Sequence, residues 1–329
     1  MVNFQDIFQK FSSLKVGVVG DIMLDTYMWG DVDRVSPEAP VPIVAMKKKD
    51  YRIGGAGNVA LNLQSLGATA YVLSVTGDDE ESITLHELFK DQNINTDYCF
   101  KSKNRITTNK TRIISRNQQM LRLDSEITKD IDTKDQEKLI ELFEVFVSRE
   151  KPGIVILEDY NKGVLTEAVI RMIISICQKA GIPTAVDPKR KNFFEYKGVD
   201  IFKPNLKEVK EALNFLFADA NLHLLQDIHV QLTQMLQHQI SLITLSEKGV
   251  FYKEKERSAV IPSHLRNIAD VSGAGDTVIA VAALVYAATK NVHLMAEIAN
   301  IAGGLVCEEV GTVAIDKQKL LHECELLLS

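Results

Sequence analysis

Short apolar runs that end at glycine or a polar residue alternate with helical patterns along much of this chain. Val16-Gly-Val-Val-Gly20 is β-branched and continuous, the pattern of a strand buried on both faces that feeds a loop. Over 58–67, Val59, Leu61, Leu63 and Leu66 recur at roughly helical spacing with Gly67 as a stop, and 71–75 returns as a strand. The same rhythm predicts strands at 154–157, 184–186, 201–203 and 241–245, with helices over 166–179 and 207–216. The Leu, Gln and His pattern of 221–239 predicts a surface helix, and the apolar run 278–288 a buried one. Such alternation predicts an α/β fold with a mostly parallel sheet flanked by helices.

Two stretches break the rhythm. Residues 27–51 carry Pro37, Pro40 and Pro42 among alternating apolar positions, which predicts short strands and turns standing off the sheet. Residues 113–123 alternate around an asparagine-containing turn, which predicts a hairpin that pairs with the first excursion. Together they would make a small discontinuous β-lid over about 27–51 and 98–123. With no repeat or linker-like tract, one continuous domain over 1–329 is expected.

Composition narrows the function. The 44 acidic against 38 basic residues give a formal charge of -6, so no global field favours nucleic acid. The four cysteines form no CxxC pair and no zinc-type spacing with histidine. Residues 1–15 lack the apolar centre of a signal peptide, and no run approaches the ~20 residues that cross a bilayer, so a cytoplasmic protein without membrane contact is expected.

The segment Asp270-Val-Ser-Gly-Ala-Gly-Asp-Thr277 carries the chemistry. Gly273, Ala274 and Gly275 allow a sharp turn whose amides open a helix N-terminus, an anion hole suited to phosphate. An aspartate in that turn repels phosphate; its sensible task is to accept a proton from an attacking hydroxyl, which makes Asp276 a candidate general base. In isolation, Asp276 and Thr277 could equally cap a helix. Asp21 and Asp25 follow the first strand, at the sheet edge where α/β folds bind ligands.

This segment, with Gly54-Gly-Ala-Gly-Asn58 upstream, resembles the paired signatures of the ribokinase-like (PfkB) carbohydrate kinases. The resemblance extends over essentially the whole chain, including Lys203-Pro-Asn-Leu-Lys-Glu208 and Thr244-Leu-Ser-Glu-Lys-Gly249. It implies a three-layer α/β/α sheet with a β-lid and an ATP-dependent sugar kinase. Within the family, Asp31-Val-Asp-Arg-Val-Ser-Pro-Glu-Ala-Pro-Val-Pro-Ile43, Glu158-Asp-Tyr-Asn-Lys-Gly163 and Val186-Asp-Pro-Lys189 resemble the heptose-7-phosphate kinase subgroup. That subgroup phosphorylates the anomeric hydroxyl of D-glycero-β-D-manno-heptose 7-phosphate to the 1,7-bisphosphate for lipopolysaccharide core synthesis.

The resemblance implies sugar contacts from Asp21, Asp25, Gly54, Gly55 and Asn58. Arg34, Arg112, Arg122, Lys162, Lys189 and Lys191 are available for a substrate phosphate, with Lys162 and Lys189 in matching motifs and Arg112 retained as a further candidate. Asn205 and Glu208 would position Mg²⁺ and ATP phosphates, often through water, while Ser246, Gly249 and Asn300 would border the nucleotide. Many members also hold a monovalent cation such as K⁺ on carbonyls near Asp270. Gly57 stands where alanine is usual, a change small enough to keep the loop but able to loosen it, and with one kinase-sized domain the chain is expected to lack the adenylyltransferase domain some relatives carry. An exposed lid edge and apolar lid face favour a homodimer through the lids. Kinases of fructose phosphate, ribose or adenosine, and a non-catalytic sensor, are the alternatives. A dehydrogenase is disfavoured because the first strand runs into Ile-Met-Leu with no GxGxxG.

Overall fold

The computed structural model describes residues 2–116, 118–215 and 221–328. In chain order the first strands are β1 (Lys15–Gly20), β2 (Ile22–Val35), β3 (Pro42–Gly55), β4 (Thr69–Leu73), β5 (Val75–Gly77), β6 (Phe100–Ser102), β7 (Thr108–Ser115) and β8 (Gln118–Ser125). They are followed by β9 (Ile154–Glu158), β10 (Thr184–Asp187), β11 (Ile201–Phe202), β12 (Ile240–Thr244), β13 (Val250–Glu254) and β14 (Arg257–Ile261). The first helices are α1 (Phe4–Lys10), α2 (Ala56–Ser65), α3 (Glu80–Asp91), α4 (Thr133–Glu150) and α5 (Glu167–Ala180). The rest are α6 (Leu206–Leu213), α7 (Leu222–Leu236), α8 (Ala274–Thr289), α9 (Val292–Val306) and α10 (Lys317–Leu327).

Eight strands form the central sheet in the order β14-β13-β12-β11-β10-β9-β1-β4. From β12 to β4 every pairing is parallel, and β13 and β14 close one edge as an antiparallel hairpin. The continuous apolar runs follow from helices on both faces. Val16, Val18, Ile154 and Ile156 pack with α1, α2, α8 and α9. Their neighbours Val19, Val155 and Leu157 point the other way, into a second core with α4, α5 and α7. Helix α8 is apolar nearly all round because it lies inside the first of these cores.

β1 sits between β4 and β9, so the chain leaves it to opposite sides of the sheet. That reversal opens a crevice at the carboxyl ends of β1 and β9, where Asp21 and Glu158 lie. The predicted elements shift slightly: the helix over 58–67 begins at Ala56, and the 278–288 helix extends back to Ala274, taking most of the glycine motif into its first turn. The 207–216 helix ends at Leu213, and its last predicted residue lies outside the described residues.

The excursion at 27–51 is not built of short strands. It consists of two 14-residue strands, β2 and β3, which begin at Ile22 and join β7 and β8 in a four-stranded sheet ordered β3-β2-β7-β8. Both strands are buried at the main-sheet end and exposed outward, so their burial pattern changes along their length. The hairpin β7–β8 forms as expected, with its central Asn117 outside the described residues. Residues 98–107 do not join this sheet; β6 pairs instead with β5. Among the described residues, no helix is long and apolar enough to cross a membrane.

Candidate active site

Asp276 lies in the first turn of α8, 4% exposed, and both carboxylate oxygens have donors. The Asn58 side-chain amide donates to Oδ2 at 2.7 Å, and the Tyr160 hydroxyl donates to Oδ1 at 2.7 Å. Burial pushes the Asp276 carboxyl up to about 6 against the pull of those two donors. Each oxygen keeps a second lone pair, so the group can still accept a proton.

Gly273 adopts φ +79 as the N-cap of α8, and a Cβ there would meet the Asn58 amide at 2.8 Å. Ala274 N spends itself on Val271 O at 3.3 Å, so the expected cradle of three amides is modified. The amides of Gly273, Gly275 and Asp276 have no partner among the described residues and remain to face an anion. Above Gly275 there is room: a Cβ would make only ordinary contacts with Asp187 Oδ2 at 3.6 Å and Lys203 Nζ at 3.8 Å. The space that glycine leaves therefore adjoins a buried ammonium.

An ion ladder runs from that space toward the other strand ends. Lys203, 2% exposed, pairs with Asp187 Oδ2 at 2.8 Å. Lys189 bridges Asp187 Oδ1 at 3.2 Å and Glu208 Oε1 at 2.8 Å. Burial opposes both charges, yet the lysines hold the Asp187 carboxyl below its usual range, and the carboxylates raise Lys189. Lys189, expected at a substrate phosphate, is thus committed to two carboxylates. Glu158, Asp187 and Asp276 each bring an oxygen within 4.8 Å of the others, with Asp187 already balanced by its lysines.

Glu208 and Asn205 form a reciprocal cap on α6: Asn205 Oδ1 accepts from Glu208 N and Glu208 Oε2 from Asn205 N, both at 2.8 Å. Asn205 also bridges to Thr244, which brings Ser246 and Gly249 to the same edge. Gly249, at φ +94, packs its backbone against Ile261 O, where a Cβ would stand at 2.0 Å. Asn300 donates to Pro262 O at 2.8 Å, tethering the loop after β14.

On the lid side, Asp25 accepts from Arg112 at 2.6 Å. A Cβ on Gly54 would stand 2.4 Å from Asp25 Oδ2, and Gly55 starts α2 at φ +61. Asp21 and Asn58, expected to hold sugar hydroxyls, also bond within the protein. Asp21 Oδ2 accepts from Tyr160 N at 2.9 Å and Lys162 N at 3.0 Å, and Oδ1 from Val164 N at 3.0 Å, fastening the 159–164 loop. Lys162 pairs with Glu126 at 2.7 Å. Arg122 pairs with Asp124, Lys191 with Asp130, and Arg34 is exposed.

Gly57 does not loosen its loop. A Cβ there would come within 2.5 Å of Ile53 Cγ2 and 2.8 Å of the Phe89 ring, so the ring fills the space an alanine would use.

Lys110, Tyr160, Lys203 and Glu158 were not singled out from sequence. The Lys110 ammonium makes no hydrogen bond or ion pair among the described residues; it lies 5.3 Å from the Tyr160 ring centre, and burial lowers its proton affinity despite nearby Asp25. Lys203, Tyr160 and Glu158 lie within the 203–208 and 158–163 motifs, but only the fold places them against Asp187 and Asp276.

Residues 13–319 match the pfkB family of carbohydrate kinases. The bifunctional protein HldE of Methylobacillus flagellatus is 40% identical over 312 residues, covering 94% of this chain and 62% of that relative. Phosphofructokinase-2 of Escherichia coli, in complex with potassium, superposes with a TM-score of 0.78 at 18% identity, covering 95% of this chain and 99% of that one. Arabidopsis thaliana ribokinase, complexed with ribose and ATP, gives 0.73 at 18% identity over 94% and 98% of the two chains. A buried aspartate above free helix amides thus stands in a ribokinase-like fold, and the chain belongs to the pfkB family of carbohydrate kinases.

Proposed function

We propose that this chain transfers the γ-phosphoryl of ATP to the anomeric hydroxyl of D-glycero-β-D-manno-heptose 7-phosphate. The observation that carries the kinase chemistry is Asp276, held by Asn58 and Tyr160 beside first-turn amides of α8 that have no partner among the described residues. The substrate assignment is supported by the subgroup resemblance of 31–43, 158–163 and 186–189 and by 40% identity to HldE across 94% of the chain.

In this reading the sugar lies between the lid and the end of β1, with Asp25 and Arg112 toward it and its reacting hydroxyl against Asp276. Asp276 takes the hydroxyl proton as the oxygen attacks phosphorus. The amides of Gly275 and Asp276, with Lys203 next to them, stabilise charge on the moving phosphoryl. Lys110 and Arg112 face the sugar phosphate with charge; Lys162 follows where Glu126 releases it.

The nucleotide phosphates lie toward Asn205, Glu208, Ser246 and Gly249, with Asn300 holding the adjacent loop. Glu208 and Asn205 are hard oxygen donors with lone pairs left after capping, which fits contact to Mg²⁺ through water. Mg²⁺ supplies charge neutralisation on the phosphates when bound. A monovalent cation beside Asp270 would share its surroundings with Arg52, which donates to Val310 O at 3.3 Å and Thr312 O at 3.2 Å.

The homodimer is supported by the lid face, where β8 is exposed throughout and Met46, Met120, Leu121 and Leu123 present apolar side chains. Four unpaired cysteines agree with a reducing cytoplasm.

The test is ADP release with Mg²⁺ and ATP against heptose 7-phosphate, fructose 6-phosphate, fructose 1-phosphate, ribose and adenosine, with the product position read by phosphorus NMR. Anomeric phosphorylation of the heptose phosphate alone is the expected result. Turnover on another sugar removes the substrate assignment, and no turnover on any removes the kinase.

A further inference from the structure

Glu158 ends β9 beside Asp187 of β10 and is fully buried. Among the described residues neither carboxylate oxygen has a hydrogen-bond partner, although Asp187 and Asp276 each place an oxygen within 4.8 Å of it. An ionised carboxylate in that position would be buried, unpaired and pressed against two others, which is strongly unfavourable. A neutral carboxylic acid avoids this and turns one of its oxygens into a donor, and the oxygens near it are acceptors.

We propose that Glu158 is a positioning residue that works as a neutral carboxylic acid, aiming its O–H at the Asp187–Asp276 pair so that Asp276 stays ionised as the base. This rests on the kinase reading above. Desolvation, then the Asp187 and Asp276 charges, favour the same protonated form. The groups facing it are Asp187 on β10, Lys189 and Lys203 beyond β10 and β11, Asp276 on α8, and the phenols Tyr160 and Tyr196. Both lysines are already shared with Asp187, so neither pairs with Glu158.

The Glu158 proton is not consumed. In each turnover the sugar O–P bond forms, the bond to the leaving ADP breaks, and the sugar proton passes to Asp276. Ionisation of Glu158 at alkaline pH adds a negative charge beside the base and the incoming phosphoryl, which closes the active range from above.

Two measurements on the full chain test this. In infrared difference spectra at neutral pH, wild type minus Glu158→Gln shows the carbonyl band of a protonated carboxylic acid; only a carboxylate difference overturns the proposal, whatever the turnover. In pH–rate profiles, Glu158→Ala lowers kcat about ten- to hundredfold, Glu158→Gln recovers most of it, and the alkaline limb is lost in the Gln variant. A Gln variant as impaired as Ala, or one that keeps the wild-type alkaline limb, overturns it. Lack of turnover in the wild type on every sugar sinks the kinase reading instead, and the infrared result still decides the protonation state.

Discussion

Asn58 and Asp276 meet across 218 residues of sequence: the Asn58 amide donates to Asp276 Oδ2 at 2.7 Å, and both side chains are buried. The two glycine-containing motifs that flank the chain are therefore two halves of one hydrogen bond. Its donor favours the ionised base, and burial opposes it. Removing the donor in Asn58→Ala should raise the acidic limb of kcat/KM by about one to two pH units, as hydrogen bonds to charged groups are worth about 1.5–3 kcal/mol. A pH–rate profile with an unmoved limb would mean the bond does not tune the base.

Asp276→Asn should lower kcat about 10²–10⁴-fold with a small change in KM. The same change should stabilise the fold. The folded carboxyl sits at about 6 against a usual 3.8, so its ionisation weakens the fold as pH rises through 6, by roughly 3 kcal/mol in full. The variant should melt above wild type in mildly alkaline buffer and lose that advantage at acidic pH, a calorimetric comparison that also shows the lost turnover is not misfolding.

Lys110 carries a half-buried charge with no ion-pair partner among the described residues. Lys110→Met should raise KM for a phosphorylated sugar by about ten- to hundredfold, the worth of a charge-assisted contact, while kcat changes little. Steady-state kinetics with an unphosphorylated analogue should show no such penalty; equal losses on both would place Lys110 elsewhere than the phosphate.

Arg52 holds a fixed positive charge on the carbonyls of Val310 and Thr312, and the Gly311 amide between them donates to Asp270 at 2.9 Å. Replacing K⁺ by a bulky organic cation should therefore leave wild-type turnover nearly unchanged. Arg52→Gln frees the two carbonyls and should make turnover respond to K⁺. Strong K⁺ dependence in the wild type would show that the guanidinium does not stand in for the ion.

A second titrating cluster lies away from this site. His229 and His238 both bond Ser241 Oγ, at 2.8 and 2.6 Å, in the core beneath α7. Burial lowers them from 6.5 to about 4 and about 3. Depressed histidines contribute stability that is present above 6.5 and is lost as pH falls, because the unfolded chain takes up protons first. Asp276 and Asp159, each raised to about 6, shift the balance the opposite way. The readout is hence a difference: urea unfolding of His238→Asn should lose less stability than wild type between neutral and mildly acidic pH, by about 1 kcal/mol per pH unit.

The central strands were legible because burial on both faces leaves continuous runs such as Val16 to Gly20 and Ile154 to Leu157. β2 and β3 were not, since each passes from buried to exposed within 14 residues and keeps no single alternation. α4 was missed because only Leu139, Phe143 and Phe146 are buried in a charged sequence, and α3 likewise buries little. In the site, Asp276 and its glycines could be read from turn chemistry. Glu158, Tyr160 and Lys203 could not, because their significance comes from neighbours on other strands. Asp21 was recognised by its place at the strand end, but its backbone partners at 160, 162 and 164 depend on how a distant loop returns.

Lys189 touches both ends of the site, joining Glu208 to Asp187. A ligand that draws charge from Glu208 strengthens the remaining Lys189–Asp187 attraction, and Asp187 is one of the charges that sets how readily Asp276 takes a proton. Occupancy at the α6 end and proton affinity at the α8 end are thus linked quantities. By thermodynamic reciprocity, protonating the aspartate must change the affinity for whatever binds at Glu208 by the same factor.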